Sequence, residues 1–382
     1  MSDLLEIDFA PATAGDIAAI NLNSARAHSW NRFWQAPERP GIAEYIVEQE
    51  HLTAQFLGDL GALDRLEMLA KQLAHIGMEP ARVALIQAQV ASAAHRFADV
   101  RVHIEQARSH GAPPETVDRL SLGIDQACGV RLDAVLEARR RIAAGSRHLE
   151  DLVPLGALLA DLREFDEADA TYRAALREYQ DVSPFATAWV CFQLGALWGE
   201  LVPDRQSDRA AGWYRKAIEY LPSYVKARVH LAEIRLSCDA ADDAEALLIP
   251  AIASGDPEVQ WRLADVMTAM GKSGDAEDQL TAARVGFEAL LEKHLLAFAD
   301  HGAEFYAGSG DDAGRAFELA RVNVANRPTL RAFEQAYETA IGAGEPRAAS
   351  EILAAAEKQW GGTAAFRLSS LAIIGKSGGA SR

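Results

Sequence analysis

The stretch HLLAFADHGAEFY, residues 294–306, brings His294, Asp300, His301 and Glu304 into one short segment. A histidine and a carboxylate three residues apart share a helix face, the arrangement found in carboxylate-bridged metal centres of helical bundles. His301 and Glu304 have that spacing, and so do His230 and Glu233. Such a centre needs a matching pair on a facing helix, and no mate motif stands near either one. The pairs therefore read as polar groups on helix surfaces, with no metal and no cofactor expected. Gly271-Lys272-Ser273 has the ending of a phosphate-binding loop, but Val266 occupies the position of its first glycine. No HExxH, no GxSxG and no cysteine close to a histidine marks a catalytic centre, so no catalytic residue is expected.

Composition narrows the partners. The 382 residues carry 55 acidic and 38 basic side chains, a net charge of −17. Phosphate backbones need a basic face, so nucleic acid is excluded as the main partner. The run Arg139-Arg140-Arg141 reads as a solvated helix face. Cys128, Cys191 and Cys238 are too widely spaced for a disulfide framework or a zinc knuckle. The beginning MSDLLEIDFAP has no basic, apolar leader, and no apolar run approaches the ~20 residues of a membrane span. A cytoplasmic protein with no membrane partner is the expectation.

The elements that must position these side chains are legible in residues 155–179, LGALLADLREFDEADATYRAALREY. Apolar residues recur there at three and four positions, which is helical periodicity. The charged joint LREFDE lets the chain turn back into a second helix. Gly156, Ala168 and Ala175 are small where two antiparallel helices would cross, and Tyr172 fills the gap one turn beyond Ala168. This spacing resembles the tetratricopeptide repeat, with its L-G-x2-Y, A-x3-F and exit proline, and in particular functionally obscure bacterial members.

Recurrence strengthens the resemblance. Equivalent anchors stand at Leu66, Val100, Ala134, Ala168, Ala210, Ala244, Ala276, Ala313 and Ala348, mostly 32 to 37 residues apart. One longer step, to Ala210, accommodates the insertion GELVPDRQSD and extra residues around Ser183-Pro184. The resemblance implies an all-α, right-handed superhelical solenoid of about nine antiparallel helical hairpins over residues 44–361. Residues 1–43 form a separate N-terminal helical segment, 362–374 a capping helix and 375–382 a disordered tail. Trp30, Phe33 and Trp34 share a face of the N-terminal helix, extended by Ile17, Ile20 and Ala27. That face either caps the first hairpin, lies in the groove or joins a second copy as a homodimer.

Hairpins that stack share one continuous core and create a concave surface. Carrying the family's groove positions onto the best-matched repeats selects Trp189 and Phe192, then Lys226, Val229 and Glu233 with His230 beside them. In the next repeat it selects Glu258, Trp261 and Asp265 with Arg262 adjacent. Aromatic residues with arginine resemble binding hot spots. No asparagine occurs between Asn31 and Asn323, which removes the asparagine ladder that grips peptide backbones in such grooves. Trp189, Phe192, Lys226, His230, Glu233, Trp261, Arg262 and Asp265 are the candidate binding residues. The expected function is a non-catalytic scaffold binding a protein or peptide. The alternatives are an enzyme or accessory subunit with a site in the groove or in 294–304, and a self-associating structural protein.

Overall fold

Eight of the nine hairpin turns contain a residue in the left-handed backbone region. Gly58, His95, Gly129, Arg163, Asp239, Gly271, Asp311 and Gly344 all have φ between 48° and 73°, each between the two helices of a hairpin. Gly271 thus serves a turn, which explains the Gly-Lys-Ser sequence without a phosphate. The computed structural model describes residues 12–379, and every regular element among them is helical.

Nine hairpins follow one another in chain order. They are α2 (Ile42–Leu57) with α3 (Ala62–Leu73), α4 (Pro80–Ala93) with α5 (Phe97–Ser109), and α6 (Pro114–Ala127) with α7 (Leu132–Ser146). Next come α8 (Leu149–Asp161) with α9 (Phe165–Glu178), α10 (Pro184–Ala196) with α11 (Ser207–Tyr220), and α12 (Val225–Ser237) with α13 (Ala241–Leu248). The seventh joins α14 (Pro257–Ala269) to the first limb of α15 (Ser273–Ala307). His294 breaks α15 with non-helical dihedrals, and its second limb pairs with α16 (Ala313–Asn326). The ninth is α17 (Leu330–Gly342) with α18 (Pro346–Trp360). In the fifth hairpin the inserted residues form a π-helical turn, Leu197–Leu201, and a loop before α11.

Close approach within hairpins is enforced by glycine against tyrosine. A Cβ on Gly156 would lie 2.7 Å from Tyr172 Cε1, and one on Gly195 would lie 2.5 Å from Tyr214 Cε1. Leu66, Val100, Ala168, Ala210 and Ala244 are fully buried at the crossings. Three expected anchors are corrected. Ala134 and Ala313 are exposed and Ala348 is half-buried, whereas Val135, Ala316 and Ala349 face the core. In the third hairpin Arg131, itself left-handed at φ 53°, delays the start of α7 and rotates its face by one position. In the eighth, the longer turn ends with Asp312 capping α16 through Arg315 N, so Ala313 sits in the first turn, off the packing face.

At the N-terminus, α1 (Gly15–Gln35) packs on α2. Phe33 is buried, while the Trp30 indole donates to Glu50 Oε1 at 2.7 Å. Glu50, with 0% of its surface exposed, also binds Arg65 at 2.8 Å and lies 3.7 Å from Arg26. Trp34 stacks on Trp30 but stays 53% exposed. Of the expected stripe, Ile17, Ile20 and Ala27 face outward, and the buried residues of α1 are Gly15, Ala18, Leu22 and Phe33. At the other end, α19 (Ala364–Arg367) and α20 (Ser370–Gly379) follow the last hairpin. The expected unstructured tail overlaps α20 as far as Gly379, and residues 380–382 lie outside the described ones.

The superhelix winds tightly enough for its early and late hairpins to touch. Asp64 accepts Lys293 Nζ at 2.7 Å and pairs with His294 Nε2 at 2.9 Å. Asn326 Nδ2 donates to the His95 carbonyl at 2.9 Å. Gly129 abuts Pro328, Thr329 and Trp360, and Arg163 pairs with Glu334 at 2.7 Å. Turns of hairpins one to four thus meet the junctions and helices of hairpins seven to nine.

Candidate functional site

The closed winding surrounds a partly open cavity of about 1040 Å³, lined by residues from the third hairpin through to α20. One wall comes from hairpins five to eight. Glu200, carried by the π-helical turn, accepts the Tyr214 hydroxyl at 2.7 Å, and His230 Nδ1 lies 2.8 Å from the same oxygen. His230 also lies 3.4 Å from Glu233. Its ring stacks on Tyr214 and meets Phe192 edge-on. Burial alone would lower the His230 pKa, but Glu200 and Glu233 outweigh it and carry it up to about 9. Burial likewise opposes ionisation of Glu200, and His230 with Tyr214 still holds that carboxyl at about 2. Burial wins at Glu233, whose pKa is raised despite His230 and Arg262.

Arg262 lies flat over Trp261, 3.5 Å from the ring centroid. It pairs with Glu233 and reaches Asp265 at 3.5 Å and Glu304 at 3.7 Å. Glu258, in the first turn of α14, opens into the cavity with His301 Nδ1 3.9 Å away. The opposite wall carries Asp161, Arg163, Arg331, Glu334 and Glu338. Asp161 faces the lumen, where neighbouring walls of the cavity raise its pKa, although its side chain stays open to solvent.

The expected binding residues divide accordingly. His230, Glu233 and Arg262 line the cavity, and Asp265 joins Glu233 and Arg262 in a smaller recess beside it. Phe192 supports the His230 ring. Trp189 is half-buried against the core, and Lys226 is half-buried outside the lining. Trp261 is a correction. It is 3% exposed, packs edge-on against Phe287 and Phe305, and donates Nε1 to Ser309 Oγ at 3.0 Å. Its ring is a platform for Arg262 with no face left for a ligand. The 294–304 grouping does not converge: His294 turns to Asp64 and Asp300 to Arg327, while His301 and Glu304 enter the cavity. Among the described residues no three such side chains are placed to hold a metal ion.

Glu200, Tyr214 and the whole opposite wall escaped the sequence reading. Glu200 lies in what reads as a spacer, and Tyr214 at what reads as a packing position. Asp161, Arg331, Glu334 and Glu338 join the site only because the superhelix closes, which no local pattern records.

The glycine–tyrosine crossings and stacked hairpins define a tetratricopeptide-like helical solenoid with an internal, charged cavity. No family model and no curated protein matches the sequence. Among solved structures the chain is similar to the apo form of the quorum sensor NprR from B. thuringiensis. The identity there is 12%, over 90% of this chain and 97% of that one, with a TM-score of 0.43. It is also similar to the APC/C hetero-tetramer Cut9–Hcn1, at 12% identity and a TM-score of 0.41. That likeness covers 85% of this chain but only 54% of the other, about half its length. Yeast Tom70 is 11% identical over 96% of this chain and 97% of its own, with a TM-score of 0.34. These likenesses carry no information about ligands. Among the described residues no helix is long and apolar enough to cross a membrane.

Proposed function

We propose that the protein is a non-catalytic, peptide-binding scaffold of the cytoplasm that takes a short, extended segment of its partner into the axial cavity. The observation that supports this reading is the cavity itself, about 1040 Å³ and walled by seven successive hairpins. Ligand sites run to ~300–1,000 Å³, so the volume suits a few residues of extended chain and excludes a folded domain. Alternating carboxylates and guanidiniums, with Gln126, Gln335 and Thr339 among them, offer both charge pairs and backbone hydrogen bonds. The thiols of Cys128, Cys191 and Cys238 are free, as suits a reducing compartment.

A random heptapeptide library displayed on phage tests the reading. Ala313 is exposed and lines the cavity, so Ala313→Trp fills space without disturbing the core. Peptides enriched on the protein are expected to lose binding to that variant. The reading fails if no peptide is enriched, or if enriched peptides bind the variant equally well.

A further inference from the structure

One carboxylate in the cavity differs from all its neighbours. The Glu258 side chain is only 10% exposed, yet among the described residues no donor lies within hydrogen-bond distance of its oxygens. The nearest cation is His301 Nδ1 at 3.9 Å. Glu200, by contrast, is held by Tyr214 and His230, and Glu233 by Arg262. Buried carboxylates are ordinarily hydrogen-bonded, because stripping water from an ion without replacing its donors is costly. Glu258 instead has its oxygens turned to the lumen.

Burial opposes ionisation of Glu258, but His301, His230, Arg262 and Lys226 outweigh it and hold its carboxyl below the ordinary value, so it stands ionised with no donor on its oxygens. Arg262 is already engaged with Glu233, Asp265 and Glu304, and His230 with Glu200. Asp256, buried behind Glu258, caps its backbone N–H and adds a carboxylate to the same corner. Among the described lining residues seven carboxylates face four guanidiniums and the His230 imidazolium, and none is a lysine. An incoming carboxylate or phosphate would meet the Glu258 carboxylate with no donor between them.

We propose that Glu258, with Glu304 beside the Arg262 platform, forms a cation subsite, and that the ligand presents a primary amine or guanidinium to it. Such a group donates several N–H bonds to a carboxylate in a poorly hydrated recess, where charge-assisted hydrogen bonds are strong. Lysine and arginine side chains of a peptide carry this chemistry, and so does a free polyamine. The peptide source rests on the function proposed above; the subsite does not.

Calorimetric titration tests the subsite, using acetylated, amidated tri-lysine, tri-arginine and tri-glutamate peptides together with spermidine. Tri-lysine or tri-arginine is expected to bind and tri-glutamate not to. Glu258→Gln is expected to weaken the cationic probe about tenfold or more. Glu304→Gln, on a side chain 54% exposed and safe for folding, should weaken it too. Glu137→Gln, on the outer surface at 75% exposure, should leave it unchanged and so rule out attraction to net charge alone. Binding of spermidine but of neither cationic peptide would keep the subsite and overturn the peptide source. Tight binding of tri-glutamate, silence of every cationic probe, or indifference to both Glu258→Gln and Glu304→Gln would overturn the subsite. If library peptides bind, are blocked by Ala313→Trp and ignore Glu258→Gln, the subsite fails while the cavity reading stands.

Discussion

His230 should hold its proton to about pH 9, and the stability of the middle hairpins should follow it. Below pH 6.5 the imidazole is protonated in both folded and unfolded chains, and the pairing with Glu200 contributes in full. Between 6.5 and about 9 the unfolded chain loses the proton while the folded one keeps it, so stability falls as pH rises. Above about 9 the contribution is gone. A rise from 6.5 to about 9, at 1.36 kcal/mol per pH unit, corresponds to ~3 kcal/mol. The Glu200 shift reports the same ion pair from its other partner and is not added. Asp161 and His95, at about 6 and about 4, act at lower pH, outside this window. Histidine ring resonances followed by NMR from pH 5 to 10 would assign the midpoint, with His230→Gln identifying the signal. Urea unfolding at pH 6 and pH 9.5 would then give the loss, and Glu200→Gln should abolish most of it. A His230 midpoint near 6.5, or equal stability at both pH values, would refute the electrostatics assigned to this wall.

Ala168→Leu and Ala244→Leu should each lower the melting temperature, because overpacking a filled crossing costs ~1–3 kcal/mol and both sites are fully buried. Asp166→Ala, Ala134→Leu and Ala313→Leu, all at exposed positions, should leave thermal melts nearly unchanged; a large drop at Ala134 would restore the unshifted register. Glu50→Ala strands the Trp30 indole and one wall of the Arg26–Arg65 network. Removing one partner of a buried pair costs ~3–5 kcal/mol, reduced here because both arginines keep Asp59, and faster amide exchange confined to α1–α3 is the expected sign. Deleting residues 1–36 should lower stability or cause aggregation, since Phe33, Leu22 and Ala18 leave apolar surface behind; light scattering and melting would detect it.

Hairpin number and order were legible because small residues at crossings are a local, periodic signal. The register was legible only where that signal was unambiguous. Ala134 and Ala313 failed because turn conformation, set by Arg131 or by the longer loop before Asp312, rotates a helix without changing its composition; at Ala348 two adjacent alanines offered the same signal and the second, Ala349, is the buried one. Part of the cavity lining was legible for the same reason: Glu233 and Glu258 stand on repeat-defined groove positions, with His230 and Arg262 beside such positions. Trp261 misled because an aromatic residue at a groove position can equally turn into the next hairpin's core, as its contacts with Phe287 and Phe305 do. The Asp161–Glu338 wall depends on how steeply successive hairpins twist, a sum of small packing angles that no single residue encodes.

Closure of the superhelix is the claim on which the cavity, its occupant and the subsite all depend. Glu164 and Ser370 are exposed and flank the Arg163–Glu334 contact, with Ser370 Oγ 3.2 Å from Glu334. With exposed Cys238 replaced by serine and the other two thiols buried, spin labels at Glu164→Cys and Ser370→Cys report on the seam directly. A short, narrow distance distribution in the free protein is the predicted result. A long or broad distribution would show an open groove and contradict the closed winding.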